Sequence, residues 1–254
     1  IIKISIYKKN TNIFDFLIDR LGTKIIIDDN PKDPDDSFLA YACAFGNVSA
    51  ALKIIDLCKE RKVRLDYTTP FIYAATQRFD DICKYMIEQK VLINFSQIIN
   101  KRSDLAKMSK DIMVSLLNTT NEEYKNMLLT NFLYEAINAF NIDLVEFLLD
   151  KNVPYEFALI KAVSVEDKKI VELVLKHDSL PSFINKISKN GTALSIAVKL
   201  KNIDIVKILL SISGIEPSIN IDGETPLITA FSLFDIDIIN LFFDFYGENI
   251  QAQI

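Results

Sequence analysis

Apolar residues recur along the chain in groups of four, at spacing i, i+1, i+4 and i+5. The groups begin at Ile13, Ala50, Ile82, Ile112, Leu144, Ile170, Ile205 and Ile238, and successive starts lie 26 to 37 residues apart. On an α-helix this spacing places four side chains on one stripe. The pattern therefore predicts a series of helices that each bury one face, repeated as one structural unit along the chain.

Polar residues indicate where these helices begin. An Asn or Asp stands three residues before six of the groups, at Asn10, Asn47, Asn141, Asp167, Asn202 and Asp235. A side-chain oxygen at that place accepts hydrogen bonds from the free amides of the first helical turn. An acid often follows two residues later, as at Asp143 and Asp204, where it favours the positive end of the helix. These residues are predicted to cap helices, not to form a row of catalytic acids.

A second, shorter helix is predicted upstream of each cap. Small residues that allow close helix packing mark it, at Ala74, Ala136, Ala162, Ala197 and Ala230. Proline suits the first turn of a helix and follows Thr at Thr69-Pro70 and Thr225-Pro226. The dipeptides Asn190-Gly191 and Asp222-Gly223 predict tight turns before two of these helices. The predicted order is turn, short helix, cap, longer helix and loop.

These elements resemble the ankyrin repeat. "TPFIYAA" at Thr69–Ala75 and "TPLITAF" at Thr225–Phe231 are similar to the family's Thr-Pro-Leu-His-x-Ala-Ala core. "GTALSIAVKLKNIDIVKILL" at Gly191–Leu210 is similar to both helices, and "YACAFGN" at Tyr41–Asn47 keeps the Gly-Asn pair. The chain looks most like the irregular, Asn-, Ile- and Lys-rich arrays of single-celled eukaryotes. The resemblance implies an all-α solenoid of about eight stacked helix pairs with short β-finger turns.

The expected organisation is a single array over residues 1–254. Its units are expected to start near residues 1, 37, 69, 99, 131, 157, 192 and 225. The segment 94–120 is degenerate, because Asp104 falls at the buried alanine position, where a carboxylate is costly. The register there is therefore expected to shift. Because the sequence opens with Ile1 instead of Met, a fragment of a longer chain is expected.

Two departures from the family pattern stand out. The family's histidine is replaced at four positions by Ile72, Tyr134, Ser195 and Ile228. This removes a hydrogen bond that in the family ties neighbouring units. The glycine between the helices remains only as Gly46, and its place is taken elsewhere by Arg78, Phe140, Lys201 and Phe234.

Composition narrows the functional classes. Half of the residues are apolar and a quarter are charged, which is typical of a globular chain. The net charge of −5 argues against nucleic-acid binding, which relies on clustered Lys and Arg. Cys43, Cys58 and Cys83 share no metal or redox spacing and suit an intracellular, cytoplasmic protein with reduced thiols. No signal-peptide pattern is present, and the uncharged run Ser37–Leu52 is too short for a comfortable membrane span. No membrane insertion and a monomeric state are expected.

The candidates for catalysis and ligand binding each have a simpler interpretation. His177, the only histidine, suits a cation near a helix C-terminus. The acidic run Asp28–Asp36 lacks the glycine and terminal glutamate of a calcium-binding hand and is interpreted as a solvated turn. Ser195 has no G-x-S-x-G context and is interpreted as a helix packing position. We therefore predict no catalytic, cofactor-binding or metal-binding residue, no cofactor and no enzymatic activity.

Two functional hypotheses remain. The resemblance implies a module that binds an unidentified protein partner on a concave face of fingers and short helices. The alternative is an architectural spacer in a larger protein, with no partner along this segment. Binding interfaces usually need aromatic and apolar anchors, so exposed apolar side chains on that face would favour the first hypothesis.

The expected partner surface follows the ends of the short helices and the loop tips. The position that ends the short helix contacts partners in the family, and here it is Phe45, Gln77, Ala139, Val165, Leu200 and Leu233. The complete expected surface is Phe45, Tyr67, Gln77, Asn138, Lys199, Leu200, Asp222 and Leu233. The competing interpretation is that the following helix or a shifted finger covers the apolar members.

Overall fold

The computed structural model describes residues 1–21, 37–62, 65–151, 157–176, 183–221 and 223–247. The chain forms two compact units, Ile1–Glu135 and Ala136–Ile254. Over the described residues the secondary structure is helical, with isolated β-bridges and no extended strand, which confirms the predicted all-α class. The acidic run Asp28–Asp36, His177 and Asp222 lie outside the described residues.

The helices of the first unit form two layers. They are α1 (Ile2–Tyr7), α2 (Thr11–Leu21), α3 (Phe38–Ala44), α4 (Val48–Glu60), α5 (Thr68–Thr76), α6 (Asp80–Glu88), α7 (Phe95–Asn100), α8 (Arg102–Leu105) and α9 (Lys110–Thr119), and α10 (Glu122–Asn138) begins in this unit. The short helices α1, α3 and α5 pack side by side as a first layer. The longer helices α2, α4, α6 and α9 pack behind them as a second layer.

The second unit repeats this arrangement. Its helices are α11 (Ile142–Leu149), α12 (Ala158–Ser164), α13 (Lys168–Leu175), α14 (Ala193–Lys199), α15 (Ile203–Leu210), α16 (Pro226–Ser232) and α17 (Ile236–Tyr246). Helices α12, α14 and α16 form the first layer, and α11, α13, α15 and α17 form the second. Within each unit, stacked helix pairs of the solenoid type bury a continuous core between the layers.

The apolar groups lie on the second-layer helices and supply most of the core. From Ala50 to Ile238, almost every member of these groups is buried, and the rest are half-buried. The exposed members are Ile13 in the first group and Phe243 in the last. Because this stripe is used between helices, it is not available to a partner.

All six predicted caps form. The side-chain oxygens of Asn10, Asn47, Asn141, Asp167, Asn202 and Asp235 each accept a hydrogen bond from the amide three residues later, at 2.9 to 3.4 Å. Each bond satisfies one of the free amides at a helix N-terminus. The carboxylates among these residues are therefore structural, as the sequence predicts.

Other hydrogen bonds tie neighbouring repeats where the family's histidine is missing. The Asn47 side chain donates from Nδ2 to the Ile6 carbonyl oxygen at 3.0 Å, which joins α4 to α1. The Asn94 amide donates to Thr68 Oγ1 at 2.9 Å, which joins the loop before α7 to the start of α5. These two bonds, one from the Asn47 side chain and one from the backbone amide of Asn94, connect neighbouring repeats of the first unit.

Fingers are present where the turn dipeptides predict them. Ser188 bridges to Gly191 and Ile221 bridges to Glu224, each as an isolated antiparallel pair. At the base of the first finger, Asn185 Nδ2 donates to the carbonyl of residue 214 at 2.8 Å, and its Oδ1 accepts from the amide of residue 216 at 2.9 Å. Successive loops in the second unit are therefore tied through Asn185.

The turns between paired helices keep a left-handed residue although glycine is mostly absent. Gly46 has φ of +63°, and the equivalent residues Lys9, Arg78, Phe140, Glu166, Lys201 and Phe234 have φ between +51° and +61°. A side chain costs about 1 to 2 kcal/mol in this conformation. The geometry of the turn is therefore kept in the repeat even where its preferred residue is lost.

The degenerate segment shows the predicted change of register. Its first helix is split into α7 and α8, which meet at Lys101. Asp104 is exposed, and Leu105 and Ala106 take the buried positions. The Asp104 carboxylate thus stays out of the core because the helix breaks at Lys101, before Asp104.

We expect this segment to open before the regular repeats. Two short helices contribute less to nearest-neighbour packing than one continuous helix, and solenoid stability is approximately a sum of unit and neighbour terms. In native-state hydrogen exchange, the amides of 94–120 should therefore exchange at lower opening free energy than those of Thr192–Leu210. Equal or stronger protection in 94–120 would show that the split helix carries no stability cost.

Candidate functional site

The ends of the first-layer helices expose apolar side chains in both units. In the first unit Phe45, directly after α3, is 36% exposed. In the second unit Leu200, directly after α14, is 38% exposed, and Leu233 takes the same place after α16 and is half-buried. Val165, at the equivalent place after α12, is also half-buried. The predicted apolar positions therefore have at least part of their surface in solvent.

The polar members of the expected surface are also accessible. Gln77 follows α5 in the first unit, and in the second unit Asn138 ends α10 and Lys199 ends α14; all three are exposed. Asp222 is outside the described residues. Each unit by itself therefore presents a mixed polar and apolar surface at its first-layer helix ends.

Tyr67 does not belong to this surface. It is 7% exposed, because the chain enters α5 there and the ring turns inward toward Cys58. Burial raises the pKa of its hydroxyl to about 12, with a smaller contribution from Cys58. A buried ring cannot contact a partner, so the expectation for Tyr67 is corrected.

The first unit carries an aromatic–lysine cluster that the sequence reasoning missed. It comprises Lys3, Tyr7, Lys8, Tyr41 and Phe45. The Tyr7 ring meets the Phe45 ring edge-on at 5.0 Å between centroids, and the centroid of the Tyr41 ring lies 4.7 Å from that of the Phe45 ring. Lys3 Nζ lies 5.8 Å from the centre of the Tyr41 ring, and Lys8 Nζ lies 5.2 Å from that of Tyr7. Tyr7 is 49% exposed, so the cluster is accessible.

A signal for this cluster exists in the sequence. Lys8 directly precedes Lys9, the left-handed residue in the turn between α1 and α2, just as Phe45 directly precedes Gly46 in the turn between α3 and α4. Lys8 is therefore the first unit's equivalent of Phe45. The opening segment has no Thr-Pro or turn dipeptide from which to count, so this position was not identified.

The second-layer surface of the first unit is instead occupied by contacts between neighbouring repeats. Lys53 Nζ contacts Asp15 Oδ1 at 2.6 Å, which links α4 to α2. The Tyr85 hydroxyl donates a hydrogen bond to Asp56, which links α6 to α4 and raises the pKa of Tyr85 to about 12. Several polar groups on this face are therefore already paired within the unit.

An open groove of about 480 Å³ lies beside the degenerate segment. It is lined on one side by Val91, Leu92 and Phe95, and on the other by Asn118 and Thr119. Its lining is largely apolar and includes no histidine, cysteine or carboxylate. The groove therefore offers space for an apolar group but no constellation for acid–base or metal chemistry.

The cysteines are poorly suited to nucleophilic chemistry. Burial raises the pKa of the Cys58 thiol to about 11 and raises those of Cys43 and Cys83 well above the ordinary value. Such thiols are protonated at neutral pH, whereas the thiolate is the nucleophile and metal ligand. Over the part of the chain that the structure describes, no group of three His, Cys, Asp or Glu residues could hold a metal ion.

Comparison with known proteins agrees with this repeat pattern. The family model described as Ankyrin repeats (3 copies) matches residues 132–221 and 159–254. A search of curated proteins found no match. None of the helices in the described ranges combines the length and apolar character needed to cross a membrane.

Proposed function

The chain belongs to the ankyrin-repeat family through residues 132–254, and on that premise we propose that it is a non-catalytic module that binds a protein partner on its first-layer helix ends. Ankyrin repeats generally mediate protein–protein interactions, and the family is typically non-enzymatic. The observation that supports this proposal most is the exposure of large apolar side chains at equivalent first-layer positions. Phe45 represents them in the first unit, and Leu200 and Leu233 in the second.

We further propose that the repeat runs through residues 1–254 as one array, with the unit starts predicted above. The recurring caps and left-handed turns in both compact units support this. A monomer in the cytoplasm, without bound nucleic acid, is proposed with it. The three cysteines are free and buried, which suits a compartment that keeps thiols reduced.

Partner binding can be tested with a double substitution in the second unit. Leu200→Ala with Leu233→Ala should weaken partner binding by on the order of 2 kcal/mol, because anchors of that size dominate interface energies. The loss of folding stability should stay well below the roughly 2 to 5 kcal/mol of a buried Leu→Ala change. Partners would be captured from native extract with the wild-type chain and identified, and their affinities then measured by calorimetry.

A matched control is available on the same compact unit. Ile203 is 39% exposed and Ile236 is also exposed, but both start second-layer helices. Ile203→Ala with Ile236→Ala should leave partner affinity unchanged. If instead the leucine pair lowers the melting temperature strongly and leaves binding per folded molecule intact, those leucines are core residues. Failure of the wild-type chain to capture any partner would favour the spacer hypothesis.

A further inference from the structure

We propose that the aromatic–lysine cluster of the first unit binds an acidic peptide segment that carries apolar side chains. This inference rests on the proposed protein-binding function and adds the chemistry of the partner. It concerns the cluster defined above and the adjoining turn residues Lys9 and Arg78.

The first argument is the charge on the first-layer helices. Helices α1, α3 and α5 contain no acidic residue. Lys8, Lys9 and Arg78 at their ends are exposed, and none of the three forms a salt bridge within the described residues. This positive surface stands out on a chain of net charge −5. Carboxylates on a partner would complement it and would speed association.

Asp66 at the start of α5 accepts hydrogen bonds from the Thr68 amide and the Thr69 hydroxyl, and the acids after α5 belong to the second layer. Asp80 and Asp81 follow Arg78, but they occupy the first turn of the second-layer helix α6. Carboxylates there interact favourably with the positive helix end. Asp15, Asp56 and Asp111 on other second-layer helices contact lysine or tyrosine side chains of neighbouring helices. The two layers of the unit therefore differ in charge.

The second argument is the apolar content of the same surface. Tyr7 and Phe45 offer partly exposed rings held in an edge-on arrangement, so little side-chain freedom is lost on contact. Ile4 adds an exposed aliphatic side chain on α1. An apolar side chain of a peptide could pack on these rings while neighbouring carboxylates reach the ammonium groups of Lys8 and Lys9. A peptide with only carboxylates would contact the lysines but not the rings, and a peptide with only apolar side chains would contact the rings but not the lysines.

Charge also favours a peptide over a nucleic acid. Binding to a phosphate backbone draws its free energy from several neutralised phosphates and released counterions. The cluster offers few cations, and the chain as a whole carries a net charge of −5. A short acidic segment needs fewer cations and gains from the apolar rings.

The test uses the full chain and short fluorescent peptides in which glutamate alternates with leucine and phenylalanine. A matched peptide with lysine in place of glutamate and a single-stranded oligothymidylate serve as the other probes. We expect the acidic peptide to bind in low salt, to weaken as salt is added, and to bind more tightly than either other probe. Lys8→Glu with Lys9→Glu should weaken it at least about tenfold, or roughly 1.4 kcal/mol, and Phe45→Ala should also weaken it.

Lys101→Glu with Lys107→Glu is the control. Both lysines are exposed on the same compact unit, outside the aromatic–lysine cluster and in the degenerate segment that follows α5 and α6, and the charge change is identical. This variant should keep the affinity of the wild-type chain within about twofold, as expected for distant surface charges. Thermal melts of all variants would show that each is folded.

Three results would overturn the inference. They are equal binding of the lysine peptide, tighter binding of the oligothymidylate, and an equal effect of the control variant. If the chain captures partners from extract but does not bind the acidic peptide, the inference is refuted and the proposed function is unaffected. A chain that binds neither would refute both.

Discussion

Asn47→Ala should lower the free energy of unfolding by about 1 to 3.5 kcal/mol. The Asn47 side chain is 4% exposed and makes two bonds in different directions. Its Oδ1 accepts from the Ala50 amide at 3.1 Å and caps α4, while its Nδ2 donates to the Ile6 carbonyl oxygen at 3.0 Å. A lost cap costs about 0.5 to 2 kcal/mol, and a lost net hydrogen bond about 0.5 to 1.5 kcal/mol. Urea unfolding followed by circular dichroism would measure the sum.

Asn47→Asp separates the two bonds. The new carboxylate keeps the acceptor for Ala50 but places a buried charge against the Ile6 carbonyl oxygen. Burial and the carbonyl raise the pKa of this carboxyl in the folded state, so folding favours its protonated form. The loss in free energy of unfolding of Asn47→Asp relative to wild type should therefore be largest near neutral pH. It should shrink as the pH falls toward about 4, where protonation restores a donor.

Asn202→Ala provides the comparison for a cap at the same place in a regular repeat. The Asn202 side chain caps α15, and its amide contact to Glu166 is long, at 3.4 Å, and exposed. The expected loss is that of a cap alone, about 1 kcal/mol. If Asn47→Ala costs no more than Asn202→Ala, the bond to Ile6 does not stabilise the first unit.

Much of this fold could be predicted because its determinants are local. The apolar groups define helix faces through spacing, and caps such as Asp167 act on amides three residues away. The change of register at Asp104 also followed from one local conflict between charge and burial. Each of these inferences needs only a short window of sequence.

The features that escaped prediction depend on contacts between repeats. Asn47 looks like any other cap until α1 is placed beside α4, where its amide meets Ile6. Tyr67 was assigned to the surface because its loop position suggests exposure, but its ring is buried near Cys58. The cluster around Tyr7 needs α1 and α3, which α2 separates in sequence, to pack side by side. The exposure of Phe45 and Leu200 could be expected from their places in the repeat, whereas the aromatic–lysine cluster depends on packing between helices, and the partner surface stays a prediction.

Gly46 is the one glycine among the left-handed residues between paired helices that the structure describes, and packing against Phe79 offers a testable explanation. A Cβ atom added at Gly46 would lie 2.4 Å from the Phe79 ring. Phe79 occupies the N-cap place of α6 and makes no side-chain cap bond. Elsewhere in the repeats this place often holds a small Asn or Asp, and the preceding repeat tolerates a side chain at the left-handed position. We infer that Phe79 is the reason Gly46 is kept.

Gly46→Ala should therefore destabilise the first unit by about 2 to 5 kcal/mol. The left-handed φ of +63° contributes about 1 to 2 kcal/mol, and the overlap with the Phe79 ring adds the cost of an overpacked site, about 1 to 3 kcal/mol.

The cause can be assigned by a double-mutant cycle with Phe79→Asn, which removes the ring and supplies a cap. In that background Gly46→Ala should cost only its backbone share, so the two changes should couple by about 1 kcal/mol or more. Phe234→Gly is the reverse experiment, because Phe234 is 88% exposed and has a left-handed φ of +53°. This substitution should stabilise the protein by about 1 kcal/mol. If Gly46→Ala is equally costly with and without the Phe79 ring, backbone strain alone keeps this glycine.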